Sequence, residues 1–305
     1  MPFRRAVYLA AVAALTLASP MPSLAASDST PGSTVAASAS APLKLFPDSR
    51  ILVRDRISVE VVGNGPDVVL IPGLASSRAV WLRTAQQLRS RYRLHIVQVA
   101  GFAGEPPRAN ATGPVFDPVL ADLDSYLTTL KRPIVIGHSL GGTMGLALAE
   151  RHPDHLSKLL IVDALPFYGV LMGGPAATAD SLRPMVEPMR SNAPAMPDAQ
   201  TRAMMAAMVT APADVDRVTG WSQASTSAVT ANAMVDDMLT DLRPGLAAVR
   251  LPVTVLYEAP LAQAMTTGYA PLPGVTLIPV PGARHFIMYD QPVRFDVEVE
   301  AFLKR

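Results

Sequence analysis

One stretch, Ile134-Val135-Ile136-Gly137-His138-Ser139-Leu140-Gly141-Gly142, constrains everything else in this chain. Three β-branched residues run straight into a Gly-x-Ser-x-Gly pentapeptide, and small and apolar residues at helical spacing follow from Thr143 to Arg151. The order is that of a buried strand, a sharp turn and a helix. A serine hydroxyl is a weak nucleophile at neutral pH, and it becomes useful only where a base reaches it and N–H donors await the oxyanion. A strand-to-helix elbow supplies both conditions. Gly137 and Gly141, lacking Cβ, let neighbouring backbone pass close to a turn that strains Ser139. A helix beginning at Leu140 points its free N–H groups at the reacting carbonyl oxygen. Ser139 is therefore the candidate nucleophile and the Leu140 N–H a candidate oxyanion donor.

The flanking sequence alternates in the way such an elbow requires. Residues 57–62 and 67–71 read as strands joined by the turn Gly63-Asn64-Gly65-Pro66, the second nearly all apolar and so a central strand. A helix is expected over residues 80–92, a strand over 94–99, a helix over 119–130 and, after the elbow helix, a strand over 158–163. Strands resume at residues 253–257 and 275–280, and a helix closes the chain over 292–303. Strand and helix in alternation predict an α/β fold with a mostly parallel central sheet, flanked by helices and joined by right-handed crossovers. The pattern breaks once. Residues 166–250 show no strand signal, prolines that divide them into short helices, and nine of the fourteen methionines. Such an insertion over Ser139 makes an adaptable apolar wall, because methionine side chains fit irregular ligands. It contains no Arg or Lys cluster of the kind that binds phosphate or carboxylate, and Trp81, Phe102 and Phe167 are candidates to line the pocket.

The elbow, the chain order and the single helical insertion resemble the α/β-hydrolase superfamily over about residues 50–305. In that fold the base is a histidine after the last strand. His285, in Gly282-Ala283-Arg284-His285-Phe286, lies 146 residues past Ser139 and directly follows the strand at 275–280. The other four histidines fit less well: His152 and His155 share a charged turn at the far end of the elbow helix, His95 begins a strand, and His138 is inside the elbow. The resemblance also implies a second oxyanion donor in the loop after the early central strand, where Pro72-Gly73-Leu74 is similar to the family's His-Gly-x and offers the Leu74 N–H; Pro72 replaces the usual histidine. The acid that orients the histidine has two candidates, the third possibility being that none is present. Most relatives carry an aspartate a few residues beyond the strand equivalent to 253–257, but here that loop reads Tyr257-Glu258-Ala259-Pro260-Leu261-Ala262-Gln263, and Glu258 is its only acid. Asp163 ends the strand after the elbow helix, where some lipases and dehalogenases of the superfamily keep theirs.

Composition sets the remaining bounds. Half of the 305 residues are hydrophobic, enough for one large core with a small cap. Residues 1–25 carry Arg4-Arg5, an apolar run from Ala6 to Ala18, and small residues at Ser23 and Ala25, the pattern of a cleaved signal peptide rather than a membrane span, since about twenty apolar residues are needed to cross a bilayer. Residues 26–43 are an Ala/Ser/Thr/Pro linker. The expected organisation is signal peptide 1–25, linker 26–43, hydrolase core 44–165 and 251–305, and helical cap 166–250. Formal net charge is +1, and about −1 without the leader, which speaks against nucleic acid or an anionic membrane as partner. Absence of cysteine excludes disulfides, a thiol nucleophile and thiolate metal sites. The sequence thus predicts a periplasmic or secreted serine hydrolase that cleaves carboxylic esters with an apolar acyl or alcohol part through an acyl-enzyme, with no metal or organic cofactor. Amide, lactone or carbon–carbon hydrolysis on the same fold is the alternative chemistry, and a degenerate protein holding an apolar ligand is the alternative class. Halide chemistry would need an aspartate where Ser139 stands.

Overall fold

A computed structural model describes residues 42–191 and 197–305, so the expected leader, and all but the end of the expected linker, lie outside the described residues. Eight strands form one sheet: β1 (Arg50–Val53), β2 (Ile57–Val62), β3 (Asp67–Ile71), β4 (Arg93–Val99), β5 (Ile134–His138), β6 (Lys158–Val162), β7 (Val253–Glu258) and β8 (Thr276–Val280). Their order is β1-β2-β4-β3-β5-β6-β7-β8. β1, β2 and β4 pair antiparallel, and every pairing from β4 through β8 is parallel. The central strands are apolar on both sides because both faces are covered. Along β5 and β6, Val135, Leu159 and Ile161 join one core, and Ile136, Leu160 and Val162 join the other.

The helices that cover those faces are α1 (Leu82–Leu88) and α11 (Pro292–Lys304) on one side, and α2 (Phe116–Leu127), α3 (Leu140–Arg151) and α9 (Ala262–Tyr269) on the other. Between β6 and β7 lie α4 (Val170–Gly173), α5 (Ala179–Val186), α6 (Asp198–Met208), α7 (Pro212–Ala224) and α8 (Ser227–Leu239), with no strand among the described residues. Proline sets several of their limits: Pro197 is the N-cap of α6, Pro212 opens α7, and Pro188 lies in the 3₁₀ turn that follows α5. A short helix, α10 (Ile287–Asp290), precedes α11. No helix among the described residues is long and apolar enough to cross a membrane.

Some local expectations differ from the structure for identifiable reasons. Residues 57–62 and 67–71 are strands joined by a turn, as expected, but they do not pair with each other. β2 pairs with β4, β3 lies on the other side of β4, and the linking turn passes beneath the α1–β4 connection. Gly63 and Gly65 make that passage possible: both have positive φ, and a Cβ on either would strike the carbonyl oxygens of Arg89, Arg91 or Tyr92. The helix expected at 119–130 begins earlier, at Phe116, because Asp236 accepts hydrogen bonds from the Val115 and Phe116 N–H groups at 2.6 and 2.9 Å. A cap supplied from 120 residues away leaves no local signal. The helix expected at 80–92 is a 3₁₀ turn, Arg78–Trp81, followed by the shorter α1, and α9 begins at the end of the loop expected after the strand at 253–257.

The elbow is the tightest point of the fold. A Cβ on Gly137 would collide with the Gly141 carbonyl oxygen, and one on Gly141 with the carbonyl oxygens of Ile71 and Pro72. These are backbone atoms of the elbow helix and of the end of β3, packed against each other, so neither side can yield cheaply. Gly137→Ala and Gly141→Ala should each destabilise the protein by about 3 kcal/mol, read as a lowered denaturation midpoint. Gly113→Ala, at a positive-φ position where nothing lies within 4 Å of the new carbon, should cost less; equal losses at all three sites would show that crowding at the elbow is not the cause.

Candidate active site

β5 delivers Ser139 to the carboxyl edge of the sheet, and α3 begins at the next residue. Ser139 has φ 52° and ψ −125°, a strained conformation for a residue with a Cβ. Its N–H donates to the Val162 carbonyl at 2.9 Å, which ties the turn to β6. Leu140, at the first position of α3, has no intrahelical partner for its N–H. The loop after β3 closes against this turn: a Cβ on Gly73 would lie 3.0 Å from the Ser139 Cβ, and Leu74 follows. Gln98 holds that loop from β4, accepting from the Arg78 N–H at 2.7 Å and donating to the Ser76 carbonyl at 3.1 Å.

His285 reaches the same place from the loop after β8. Its Nδ1 lies 2.8 Å from Oδ2 of Asp163, whose side chain is only 1% exposed. Oδ1 of Asp163 accepts from the Glu258 N–H at 2.8 Å. The two acid candidates thus meet, because β6 and β7 are paired neighbours and both residues stand at their carboxyl ends. Asp163 presents its carboxylate to His285, whereas Glu258 is joined to Asp163 through its backbone. Like Ser139, Asp163 takes a positive φ, 51°. Ser139, Asp163 and His285 line one small cavity of about 20 Å³, together with Thr143, Ala164, Leu165, Tyr168, Leu171, Asp237, Leu261 and Met265.

The electrostatics follow from burial and from three nearby carboxyl groups. Burial alone would push the His285 imidazole down, but the hydrogen bond and charge of Asp163, with smaller contributions from Glu258 and Asp237, raise it above its ordinary value. His138, one residue before Ser139, goes the other way. Burial first, and the charge of His285 second, hold it well below the usual imidazole range. A neutral His138 donates from Nε2 to the His285 carbonyl at 3.1 Å, and its ring packs 4.7 Å from that of His285 and 4.9 Å from Phe286.

Several features of the site differ from the sequence reading. His138, which its place in the elbow gives no role of its own, holds the backbone of the histidine loop. Asp237, Thr143 and Tyr168 line the cavity, and only Thr143, one turn into the elbow helix, had a positional signal. Trp81, Phe102 and Phe167 do not line it. Each is fully buried elsewhere: Trp81 beneath α1 against Phe295, Phe102 in the opposite core, and Phe167 under Arg243 in the cap. The lining methionine, Met265, belongs to α9 rather than to the insertion.

The family model described as the alpha/beta hydrolase family matches residues 68–296, which span the elbow, the cavity and the Asp163–His285 pair. The chain belongs to the alpha/beta hydrolase family. Curated relatives of this alpha/beta hydrolase include the pimeloyl-[acyl-carrier protein] methyl ester esterases of Aeromonas salmonicida, 38% identical over 112 residues, and of Chromobacterium violaceum, 36% identical over 111 residues. These alignments cover 37% and 35% of this chain and 43% and 41% of the relatives, so the chain spans about two fifths of their length. Among solved structures, the enol-lactonase of Burkholderia xenovorans superposes with a TM-score of 0.68 at 19% identity, and an esterase of Exiguobacterium antarcticum with 0.67 at 19%. Each pairing covers 82% of this hydrolase and 96% of the other chain, a likeness of fold.

A titration checks the pairing directly. The folded His285 keeps its proton above the ordinary value of about 6.5. Its ion pair with Asp163 therefore stabilises fully below that pH, and the contribution is lost as pH rises through the folded value. Ring-proton NMR should give His285 a midpoint above about 6.5 and Asp163→Asn a lower one, with His138 silent until the protein unfolds. A His285 midpoint that Asp163→Asn leaves unchanged would remove Asp163 from the pair.

Proposed function

We propose that this alpha/beta hydrolase cleaves carboxylic esters through an acyl-serine intermediate. The observation that carries the reading is the buried Asp163–His285 pair, 2.8 Å apart, opening onto the cavity that the strained Ser139 enters. The Ser139 hydroxyl attacks the ester carbonyl while Nε2 of His285 takes its proton. Asp163 fixes the imidazole with Nδ1 protonated and stabilises the cation that forms. The Leu74 and Leu140 N–H groups hold the oxyanion, and collapse expels the alcohol as His285 returns the proton to it. A water then attacks the acyl-enzyme by the same route and releases the acid and Ser139. No step calls on a metal or an organic cofactor.

The choice of esters leans on the curated relatives, which are named as methyl ester esterases. The lining by Ala164, Leu165, Leu171, Leu261 and Met265 suits a small apolar acyl or alcohol part. A protein that merely holds an apolar ligand would have no use for an imidazole oriented by a buried carboxylate beside a strained serine, and this favours catalysis over binding. Export remains the reading of residues 1–25, supported by their basic, apolar and small-residue segments in that order. N-terminal sequencing of protein recovered from a bacterial periplasm should begin near Ala26, and an intact Met1 there would contradict it.

Purified protein should hydrolyse p-nitrophenyl butyrate with an acidic limb set by His285. Ser139→Ala and His285→Ala should each lower kcat by about 10⁴-fold or more, and Asp163→Asn by orders of magnitude, while Glu258→Gln should change it far less. Equal rates for wild type and Ser139→Ala would end the acyl-serine reading.

A further inference from the structure

Asp236 and Asp237 are adjacent on α8 and face opposite environments. Asp236 is fully engaged: it pairs with Arg190 at 2.7 Å and caps α2 through the N–H groups of Val115 and Phe116. Asp237 points into the cavity shared by Ser139 and His285, and its Oδ1 is buried without a hydrogen-bond partner. Leaving a carboxyl oxygen in that state is unfavourable, and a side chain of similar size without the charge would avoid it. No donor among the described residues reaches that oxygen. A ligand in the cavity would supply one.

The surroundings define what kind of ligand. Thr143 of α3 bonds the Asp237 carboxyl, and Tyr168, from the segment after β6, lines the same wall. The other titratable groups that act on Asp237 are Asp236 beside it on α8 and His285 across the cavity; Asp163 stands beyond His285. No Lys or Arg lines the cavity among the described residues. Burial, and secondarily the Asp236 charge, push the Asp237 carboxyl up to about 7, against the opposing pulls of Thr143 and His285. Near neutrality the group is therefore poised to ionise, and a ligand that donates a hydrogen bond would draw it into the carboxylate form.

We infer that Asp237, Thr143 and Tyr168 form a polar subsite on the cap-side wall that receives a hydrogen-bond-donating group, a hydroxyl or an ammonium, carried by the substrate. The inference rests on the ester-hydrolase reading and narrows it. The favoured ester is apolar along Leu165, Leu171 and Met265, with one donor placed to reach α8, and an analogue with a carboxylate in that position is rejected by like charge. The subsite acts on binding and orientation, and no bond is made or broken there.

Kinetics on matched esters test it. Wild type, Asp237→Asn and Asp237→Leu would be compared on the p-nitrophenyl esters of butyrate, 2-hydroxybutyrate, 3-hydroxybutyrate and 3-ammoniobutyrate. Wild type should prefer at least one donor-bearing ester to butyrate by about 10- to 100-fold in kcat/KM. That ratio, in which His285 ionisation cancels, should rise with pH through about 7. Asp237→Leu should abolish both the preference and its pH dependence, and Asp237→Asn should lose the ammonium preference while keeping part of that for hydroxyl. Neither variant should have a lower thermal midpoint than wild type, which separates a recognition role from a structural one. The same substrate ratios in wild type and both variants would overturn the subsite and leave the hydrolase reading standing. Failure of wild type to turn over any of the four esters would overturn both. Should Asp237→Leu not fold, the Asp237→Asn ratios decide alone.

Discussion

The structure depends on a close approach of backbone to backbone at the elbow. Gly137, Gly141 and the carbonyls of Ile71 and Pro72 occupy a space in which any additional carbon collides. That crowding is what keeps Ser139 in a conformation costing on the order of 1–3 kcal/mol. β5 carries the turn because it lies between β3 and β6, buried on both faces, and the Ser139 N–H is tied to β6. A strain of that size is a modest fraction of the roughly 5–15 kcal/mol that holds a typical domain together. An edge strand, paired on one side only, would relax instead. The position of the elbow in the sheet and the conformation of the serine are therefore one constraint.

From that constraint the charge arrangement follows. The carboxyl ends of β5, β6 and β7 lie side by side, so Ser139, Asp163 and Glu258 are brought to one edge by strand register alone. His285 supplies the only cationic partner that lines the cavity among the described residues. Two aspartates compete for it unequally. Asp163 accepts N–H groups from His285 and from Glu258, whereas Asp237 has one oxygen without a partner and is pushed toward neutrality. The two carboxyl groups therefore stand in different environments, one bonded to the imidazole and the other facing the cavity. His138, kept neutral by its burial, fixes the imidazole loop without adding a charge that would compete with His285.

Much of this was legible because the signals are local. Period-two burial inside continuous apolar runs marks β5 and β6, and glycine spacing marks the elbow. The position of His285 after the last strand follows from chain order. What escaped has a common cause, which is dependence on partners distant in sequence. The start of α2 is set by Asp236, the non-hairpin path after β2 by the backbone of residues 89–92, and the cavity lining by α8 and α9. The choice between Asp163 and Glu258 stayed open for the same reason. Both stand at strand ends, and only the pairing of β6 with β7 reveals that one offers His285 its carboxylate and the other offers Asp163 its N–H. Aromatic residues misled because large apolar side chains fill cores more often than pockets, and Trp81, Phe102 and Phe167 do so here.

The cap is not an independent lid, because part of it shares hydrogen bonds with the loop that carries His285. The Phe286 N–H donates to the Met208 carbonyl at 3.1 Å, Arg284 reaches the carbonyls of Ala206 and Val209, and Asp290 joins the N–H groups of Thr210 and Arg284. On the opposite side, the link from α7 to α8 is tied to the loop after β4: the Gly104 N–H donates to the Ala224 carbonyl and the Thr226 N–H to the Gly101 carbonyl. Residues 206–226 are thereby held to the core at both ends. Opening the cavity through the α6–α7 corner would break the bonds that hold the His285 loop. Opening it past α4, where Tyr168 and Leu171 form the wall, breaks none of them. The hydrogen-bond pattern thus separates a rigid half of the cap, which belongs mechanically to the imidazole, from a half whose displacement leaves the Asp163–His285 geometry intact.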